Sequence, residues 1–230
     1  MLGLPDAITA CLFDLDGVIT KTAVVHKKAW GQTFDAFLKE RDGDGFTPFS
    51  DGDYDRYVDG MRREDGVTRF LQSRDIEPEP DLVERLATDK NDRVLALIED
   101  EGVEAYDGTV RYVDAAREAG LKIAVVSSSA NTRAILEATG LSDRFETIVD
   151  GNVAKERDLP GKPKPDTFLE GARELGVEPA AAVVFEDAQA GVQAGRAGDF
   201  GYVVGVDRVG QREELAKYAD VVVDDLEELL

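Results

Sequence analysis

Cysteine, histidine and lysine are all scarce in this sequence: its 230 residues include one Cys, one His and ten Lys. The single cysteine, Cys11, excludes an internal disulfide and any metal site built from several cysteines. Because Cys11 lies in an apolar run, we expect a buried thiol in the core. No apolar run approaches the roughly 20 residues of a membrane span, so we expect no membrane partner.

Positive charge is also in short supply, with 27 basic residues against 48 acidic ones and a net charge of -21. Such a surface repels nucleic acid, which is therefore excluded as a partner. It also repels phosphorylated substrates at long range, so a phosphate site requires a local group of cations or a metal ion. Together with the cysteine usage, this balance predicts a cytoplasmic protein, and we expect it to be a monomer.

Short apolar runs alternate with helical patterns along most of the chain. Buried strands are predicted at 8–14, 121–126, 147–149, 181–185, 202–206 and 219–223. Strands without polar alternation, separated by amphipathic helices, indicate an α/β fold with a parallel sheet covered on both faces.

The part of the chain between residues 20 and 101 lacks any strand-like run. We therefore predict a core domain from residues 1–20 and 102–230, with an inserted all-helical cap at 21–101. Within the cap, the Gly/Asp-rich stretch 41–55 superficially resembles a calcium loop. It lacks the ligand spacing of an EF-hand, so we expect a solvated loop there.

Polar side chains follow three of the predicted strands. Asp14 and Asp16 come after the first strand, Ser127 after the second and Glu186 with Asp187 after the fourth. Carboxyl ends of parallel strands share one edge of the sheet, so these groups are expected to meet there. Residues two apart on an extended segment face the same way, which lets Asp14 and Asp16 address one substrate atom. The pattern predicts a metal and phosphate site.

Four motifs in this order resemble the haloacid dehalogenase superfamily of phosphotransferases, and the match covers essentially the whole chain. They are DLDGVIT at 14–20, Ser127, KPKPD at 162–166 and the acidic pair 186–187. The resemblance implies a Rossmann-like core with a cap. It also implies that Asp14 is the nucleophile that accepts the phosphoryl group and that Asp16 is the general acid and base.

The same resemblance implies Mg²⁺ as the cofactor. Its ligands would be Asp14, the backbone carbonyl of Asp16, Glu186 and Asp187, which are hard oxygen donors. Ser127 would then hydrogen-bond a phosphoryl oxygen. Lys162 would neutralise charge on the phosphate and on Asp14.

Within the superfamily the chain is similar to the β-phosphoglucomutase family. The resemblance implies that Thr22 restrains the acid/base aspartate. It also implies that His26 gates that aspartate and contacts substrate. The implied binding positions for sugar and phosphate are Trp30, Gly60, Arg63, Lys90 and Asn131. For Trp30 and His26, a purely structural role is the alternative. Two positions depart from the family, which often has lysine where this chain has Asp59 and Ala130.

The resemblance therefore implies a mutase that interconverts β-D-glucose 1-phosphate and β-D-glucose 6-phosphate through an aspartyl-phosphate and a 1,6-bisphosphate. The alternative is a sugar-phosphate phosphatase on the same scaffold, with water as the final acceptor. Dehalogenation is disfavoured, because Asp16 and the cap arginine suit phosphate.

Overall fold

A computed structural model describes residues 2–230; Met1, which belongs to the predicted core segment 1–20, lies outside them. The strands are β1 (Ala10–Phe13), β2 (Lys122–Val126), β3 (Thr147–Val149), β4 (Ala182–Glu186), β5 (Tyr202–Val206) and β6 (Val221–Val223). The helices are α1 (Ala23–Asp42), α2 (Asp51–Asp53), α3 (Arg63–Ser73), α4 (Pro80–Glu101), α5 (Asp107–Glu118), α6 (Thr132–Ala138), α7 (Gly151–Glu156), α8 (Asp166–Leu175), α9 (Gln189–Ala197) and α10 (Arg212–Leu215).

All six strands form one parallel sheet in the order β3-β2-β1-β4-β5-β6. The chain direction across the sheet reverses beside β1, so the first motif follows a central strand at a topological switch point. The predicted α/β class with a parallel, Rossmann-like sheet is confirmed.

Both faces of the central strand β1 are buried, which explains its unbroken apolar sequence. Cys11 and Phe13 point to one face, where they join a cluster with Tyr112 of α5. Ala10 and Leu12 point to the other face, where the cluster includes residues of α8 and α9. Alternate side chains of a strand point to opposite faces, so one short strand anchors both helical layers.

A separate apolar cluster is built only from residues between positions 30 and 87, in α1, α3, α4 and the segments that connect these helices. Its aromatic centre stacks Trp30 on Phe34 and Phe34 on Phe70, with ring centroids 5.0 and 3.8 Å apart. A helical unit with its own core is what the sequence predicts for the cap. The boundaries at 20/21 and 101/102 stay a prediction.

The two connections between the helical unit and the sheet run side by side. Thr20 and Ala105 form an isolated antiparallel bridge. The Lys21 ammonium is 2.7 Å from the Glu104 carboxylate, and its backbone N–H donates to the Glu104 carbonyl. Any movement of the cap relative to the sheet must bend this paired connection.

The prediction of a loop throughout 41–55 is wrong at both ends, because α1 extends to Asp42 and a second helix begins at Asp51. The Ser50 hydroxyl accepts a hydrogen bond from the backbone N–H of Asp53, whose carboxylate accepts one from the N–H of Ser50. This capping box starts α2, which continues as a wider turn over Tyr54–Val58. The polar composition did not reveal the start of α2, because the residue types that cap helices are also the types common in loops.

Candidate active site

Three neighbouring strands deliver the predicted catalytic groups to one edge of the sheet. Asp14 follows β1, Ser127 follows β2 and Glu186 ends β4, and these strands are adjacent in the order β2-β1-β4. The three side chains are buried, with residue exposures of 6%, 2% and 0%. The parallel topology thus brings together residues that are more than 50 positions apart in the chain.

Lys162 joins two of these strand ends. Its side chain is 1% exposed, and its ammonium donates hydrogen bonds to the carboxylates of Asp14 and Glu186 and to the Val126 carbonyl. Burial alone would lower the pKa of Lys162, but the adjacent charges of Asp14 and Glu186 raise it above its ordinary value. The lysine therefore stays charged across the physiological pH range and neutralises part of the acidic cluster.

Asp14, Glu186 and Asp187 each offer a carboxylate oxygen within 4.8 Å of the others. Burial raises the pKa of Asp14 well above its usual range; Lys162 opposes this rise, while the charges of Glu186 and Asp16 add to it. Burial, together with the charges of Asp59 and Glu186, likewise raises the pKa of Asp187. Crowded buried carboxylates favour a divalent cation, which supplies the opposite charge and prefers oxygen ligands. These residues fit a divalent metal ion.

The Asp16 carboxylate has a different set of partners, located where the chain enters the cap. The Thr22 hydroxyl donates a hydrogen bond to Asp16 and lies 2.7 Å from the Thr20 hydroxyl. His26, in the first turn of α1, places Nε2 3.3 Å from an Asp16 oxygen. The predicted acid/base aspartate therefore contacts both residues that the resemblance assigned to its control.

The surroundings of His26 favour the neutral form of its imidazole. Burial and the charges of Lys90 and Arg63 lower the pKa of His26 to about 4, although Asp16 opposes this. The Lys90 side-chain nitrogen lies 2.7 Å from Nδ1. A protonated Lys90 donates there, which places the ring proton of a neutral His26 on Nε2. Nε2 lies 3.3 Å from the Asp16 carboxylate and makes no hydrogen bond within residues 2–230.

Lys90 and Trp30 form one wall of the cap side. Lys90, on α4, is 5% exposed, and its nitrogen lies 5.0 Å from the centroid of the Trp30 ring. Burial lowers the pKa of Lys90 to about 7; Asp16 opposes this and Arg63 adds to it. The amine is thus poised to gain a proton when an anion such as phosphate approaches.

Direct contacts close the cap over the sheet edge. The Ser128 hydroxyl donates to the Gly60 carbonyl over 2.9 Å, and the Asn131 amide donates to the Asn91 side chain over 3.0 Å. Gly60 has a φ of 69°, and a Cβ there would lie 2.9 Å from the Cβ of Ala188. Only glycine allows this backbone conformation and this close approach of cap to core.

The closed cleft collects most of the predicted site residues. Those that line it are Asp14, Asp16, His26, Trp30, Gly60, Arg63, Lys90, Asn131 and Asp187. Four others, Thr22, Ser127, Lys162 and Glu186, lie outside this lining. Ser127 is oriented by the Ser129 N–H, which donates to its hydroxyl oxygen over 3.0 Å and leaves the hydroxyl proton available.

Eight further lining residues were not predicted as site residues, and two of them, Tyr54 and Asp59, are ionisable. Tyr54 lies in the predicted loop 41–55, and Asp59 occupies a position where the family often has lysine. Burial and then the charge of Glu186 raise the pKa of Asp59 to about 7, and a hydrogen bond from Tyr54 opposes this. The wide turn at Tyr54–Val58 brings the two together, and no sequence pattern signals such a turn.

Comparison with known proteins agrees with this geometry. A family model described as haloacid dehalogenase-like hydrolase matches residues 8–199. The β-phosphoglucomutase of Mycobacterium tuberculosis is 51% identical over an alignment of 247 positions, covering 100% of this chain and 94% of that protein. The solved β-phosphoglucomutase from Clostridium difficile matches with a TM-score of 0.80 and 29% identity, over 97% of this chain and 93% of that chain.

A third similar structure is CbbY from Rhodobacter sphaeroides in complex with xylulose-(1,5)bisphosphate, with a TM-score of 0.78 and 26% identity. It covers 96% of both chains. The chain therefore belongs to the haloacid dehalogenase-like hydrolase family and, within it, to the β-phosphoglucomutases and their relatives. The predicted resemblance is confirmed. Within residues 2–230, none of the helices combines the length and apolar character that crossing a bilayer demands.

Proposed function

We propose that the chain is a Mg²⁺-dependent β-phosphoglucomutase that interconverts β-D-glucose 1-phosphate and β-D-glucose 6-phosphate. The 51% identity to the mycobacterial β-phosphoglucomutase over the whole chain supports this. The structural observation that carries it is the bonding of Asp16. Its carboxylate accepts a hydrogen bond from Thr22 and lies 3.3 Å from His26 Nε2, at the entrance to the cap, whereas Asp14 is held by Lys162 in the core. Cap position can thus control the acid/base group without moving the nucleophile.

In the first half-reaction, a carboxylate oxygen of Asp14 attacks the phosphorus of β-glucose 1,6-bisphosphate. The bond from phosphorus to the sugar oxygen breaks, and Asp16 gives that oxygen its proton. In the reverse direction the C1 or C6 hydroxyl of a sugar monophosphate attacks phospho-Asp14. Asp16 takes the hydroxyl proton, and the Asp14 carboxylate leaves. The bisphosphate is regenerated, so phosphate is conserved through the cycle.

Lys162 and Ser127 would stabilise the transferring group. The Lys162 ammonium is already in contact with Asp14, and the Ser127 proton is free to donate to a phosphoryl oxygen. Asp14, Asp16 through its carbonyl, Glu186 and Asp187 would hold Mg²⁺. When bound, Mg²⁺ supplies positive charge beside the transferring phosphoryl group, whose equatorial oxygens carry the charge of a loose transition state.

The cap would recognise the rest of the substrate. Arg63 lines the cleft at the first turn of α3 and can bind the phosphate that is not transferred through its forked guanidinium. Gly60 and Asn131 complete that phosphate site. Trp30 and Lys90 face the sugar, where Lys90 gains charge as the phosphate enters. Two lysines common in the family are replaced by Asp59 and Ala130, so Arg63 carries more of the phosphate binding here.

A rapid-quench experiment tests this function against the phosphatase alternative. Asp14 is phosphorylated with a labelled small phosphodonor, and release of label is followed with and without glucose 6-phosphate. A mutase keeps phospho-Asp14 for seconds without sugar, then transfers the label to bisphosphate far faster when sugar closes the cap. Asp14→Asn is the control for labelling. Release as inorganic phosphate at one rate with or without sugar identifies a phosphatase instead.

The remaining parts of the proposed function concern assembly and location. All the proposed site residues belong to this one chain and lie where its own cap meets its core, so the site needs no second copy and we propose a monomer. We also propose that it acts in the cytoplasm, in keeping with its single cysteine. Light scattering on the purified protein measures the mass directly: about 25 kDa is expected, and about 50 kDa contradicts the monomer.

A further inference from the structure

Arg208, in the loop after β5, touches three separated segments of the chain. Its Nε donates to the Gly17 carbonyl over 2.9 Å, and a terminal nitrogen donates to the Asp224 carbonyl over 2.6 Å. The same nitrogen lies 3.1 Å from the Asp225 carboxylate, and the guanidinium lies 3.6 Å from the centroid of the Tyr106 ring. Only 13% of its side chain is exposed. Because Arg208 is mostly buried and contacts a neutral carbonyl and an aromatic ring, its role is to hold chain segments together and not to carry surface charge.

The contact with Gly17 reaches the metal-binding side of the site. Gly17 follows Asp16 directly and has a φ of 83°. A Cβ placed on Gly17 would overlap the Asp187 carboxylate, so the backbone here forms a wall against which that carboxylate lies. Fixing the Gly17 carbonyl therefore limits where the Asp187 oxygens can be.

The loop that carries Arg208 also braces Asp187 from its own side. The side-chain amide of Gln211 donates to the backbone carbonyl of Asp187 over 2.9 Å. The loop is itself held in shape, because one Asp207 oxygen accepts from the backbone N–H groups of Gly210 and Gln211 at 2.7 and 2.9 Å. Arg208 and Gln211 belong to the same short loop. Arg208 holds the backbone at Gly17 and Gln211 holds the backbone at Asp187, on the two sides of the gap between them.

Tyr106 adds a link to the cap. It lies in the connection that returns from the cap, and its backbone N–H donates to the Ile19 carbonyl over 2.9 Å. The stacked guanidinium therefore touches the loop of the first motif and the cap connection at the same time. Stacking of this kind restricts the plane of the guanidinium and so the direction of its Nε–H.

We propose that Arg208 is a positioning residue that holds Gly17 against Asp187 and thereby sets the geometry of the divalent-metal site, with Tyr106 fixing its plane. The role assigned to Arg208 rests on the proposed function, because Mg²⁺ binding at Asp187 is part of that function. Arg208 touches no reacting atom and acts through the Gly17 backbone.

Arg208 also anchors the C-terminal segment, which is a purely structural role. A variant that loses an anchor of this segment and nothing else is therefore the matched control. Arg212 anchors the same segment: its terminal nitrogens donate to the Val222 carbonyl and the Asp224 carboxylate at 2.5 and 2.6 Å. Among the hydrogen bonds, ion pairs and ring contacts of residues 2–230, Arg212 has none with Gly17 or Tyr106. Arg212→Met therefore removes the anchor without touching the metal side.

The test is the Mg²⁺ affinity of the full-length protein, measured by calorimetry without sugar, beside thermal unfolding as a check on folding. Losing a charged donor to a buried carbonyl predicts that Arg208→Met binds Mg²⁺ about 10-fold more weakly. Arg208→Lys keeps one donor and should recover part of the loss. Arg212→Met should bind Mg²⁺ within about twofold of the unaltered protein. Adding Tyr106→Leu to Arg208→Met should cost no further affinity, because Tyr106 acts through Arg208.

Equal Mg²⁺ affinities in Arg208→Met and Arg212→Met overturn the positioning role and leave Arg208 a structural anchor. If Arg208→Met does not fold, Tyr106→Leu alone carries the test: weaker Mg²⁺ binding supports the role and unchanged binding overturns it. Failure of the unaltered protein to bind Mg²⁺ contradicts the proposed function as well. Mg²⁺ binding that is unaffected by the variants contradicts only the role of Arg208.

Discussion

Replacing Lys162 by methionine should destabilise the protein far more than any exposed lysine substitution. Lys162 is the one cation that contacts both Asp14 and Glu186 among the ion pairs of residues 2–230, and the three side chains are 1%, 8% and 0% exposed. Methionine preserves most of the side-chain volume, so the change removes charge rather than packing. Two buried carboxylates then face each other without the cation that joined them.

The magnitude follows from breaking a buried ion pair by removing one partner, which costs about 3–5 kcal/mol. For a chain of this size, each kcal/mol shifts the midpoint of thermal unfolding by about 2–4 °C. We therefore expect the midpoint to fall by roughly 6–20 °C at pH 8. Lys164→Met is the matched control, because Lys164 is exposed, lies two residues away and changes the net charge equally. It should change stability by less than about 0.5 kcal/mol.

The pH dependence gives the sharper test. Burial holds the pKa of Asp14 above its ordinary 3.8 even with Lys162 present, and losing the lysine must raise it further. A carboxyl whose pKa is higher in the folded state binds protons on folding, so its effect on stability becomes more unfavourable as pH rises from 3.8 through the folded value. The gap between Lys162→Met and the unaltered protein should thus be smaller at pH 5 than at pH 8.

Thermal unfolding followed by circular dichroism at both pH values measures this gap. Millimolar Mg²⁺ should recover part of the loss, because a divalent cation supplies the missing positive charge. The reasoning is refuted if Lys162→Met and Lys164→Met unfold at the same temperature. It is also refuted if the gap is as large at pH 5 as at pH 8.

Four further predictions concern the site and the core. Asp14→Asn should remove all turnover and Asp16→Asn should lower it by orders of magnitude, both with the fold intact by circular dichroism. Turnover in a contaminant-free Asp14→Asn contradicts the covalent step. Arg63→Ala should lower mutase turnover about 10- to 150-fold, from about 1.5–3 kcal/mol of lost charge-assisted bonding, while a small phosphodonor still phosphorylates Asp14; equal loss with both donors makes Arg63 structural. A chelator should stop turnover, Mg²⁺ should restore it and Ca²⁺ should restore it poorly, because its larger shell misplaces the phosphate. Burial raises the pKa of Cys11 to about 12. At pH 8 the thiol should therefore react with an alkylating reagent only after unfolding in urea. Labelling of the native protein, measured by mass spectrometry, contradicts the burial of Cys11.

Local sequence pattern was sufficient for most secondary structure. The predicted strands 147–149 and 202–206 have the observed bounds. They are short, strongly patterned and end at glycine or polar residues, so their limits depend on neighbours in the chain. The last strand was predicted to begin at 219, but it begins at Val221, where pairing with β5 starts. Pairing partners lie elsewhere in the chain and leave no local signal.

The sequence by itself also determined which chemistry-bearing residues lie at strand ends, because Asp14, Ser127 and Glu186 each follow or end a buried run. Only the tertiary structure decided how these groups are paired. Lys162 reaches across 148 positions to Asp14. Such pairings depend on strand order and on loop conformation, and both are set by packing over the whole chain.

The same holds for charge states and for the groups behind the site. Proton binding by His26, Lys90 and Asp59 is shifted chiefly by burial, which exists only once cap and core are assembled. Arg208 is one of 17 arginines in the sequence, and nothing in its neighbours distinguishes it. Its contacts with Gly17 and Tyr106 span 191 and 102 positions, so they arise only when the sheet, the first loop and the cap connection fold against one another.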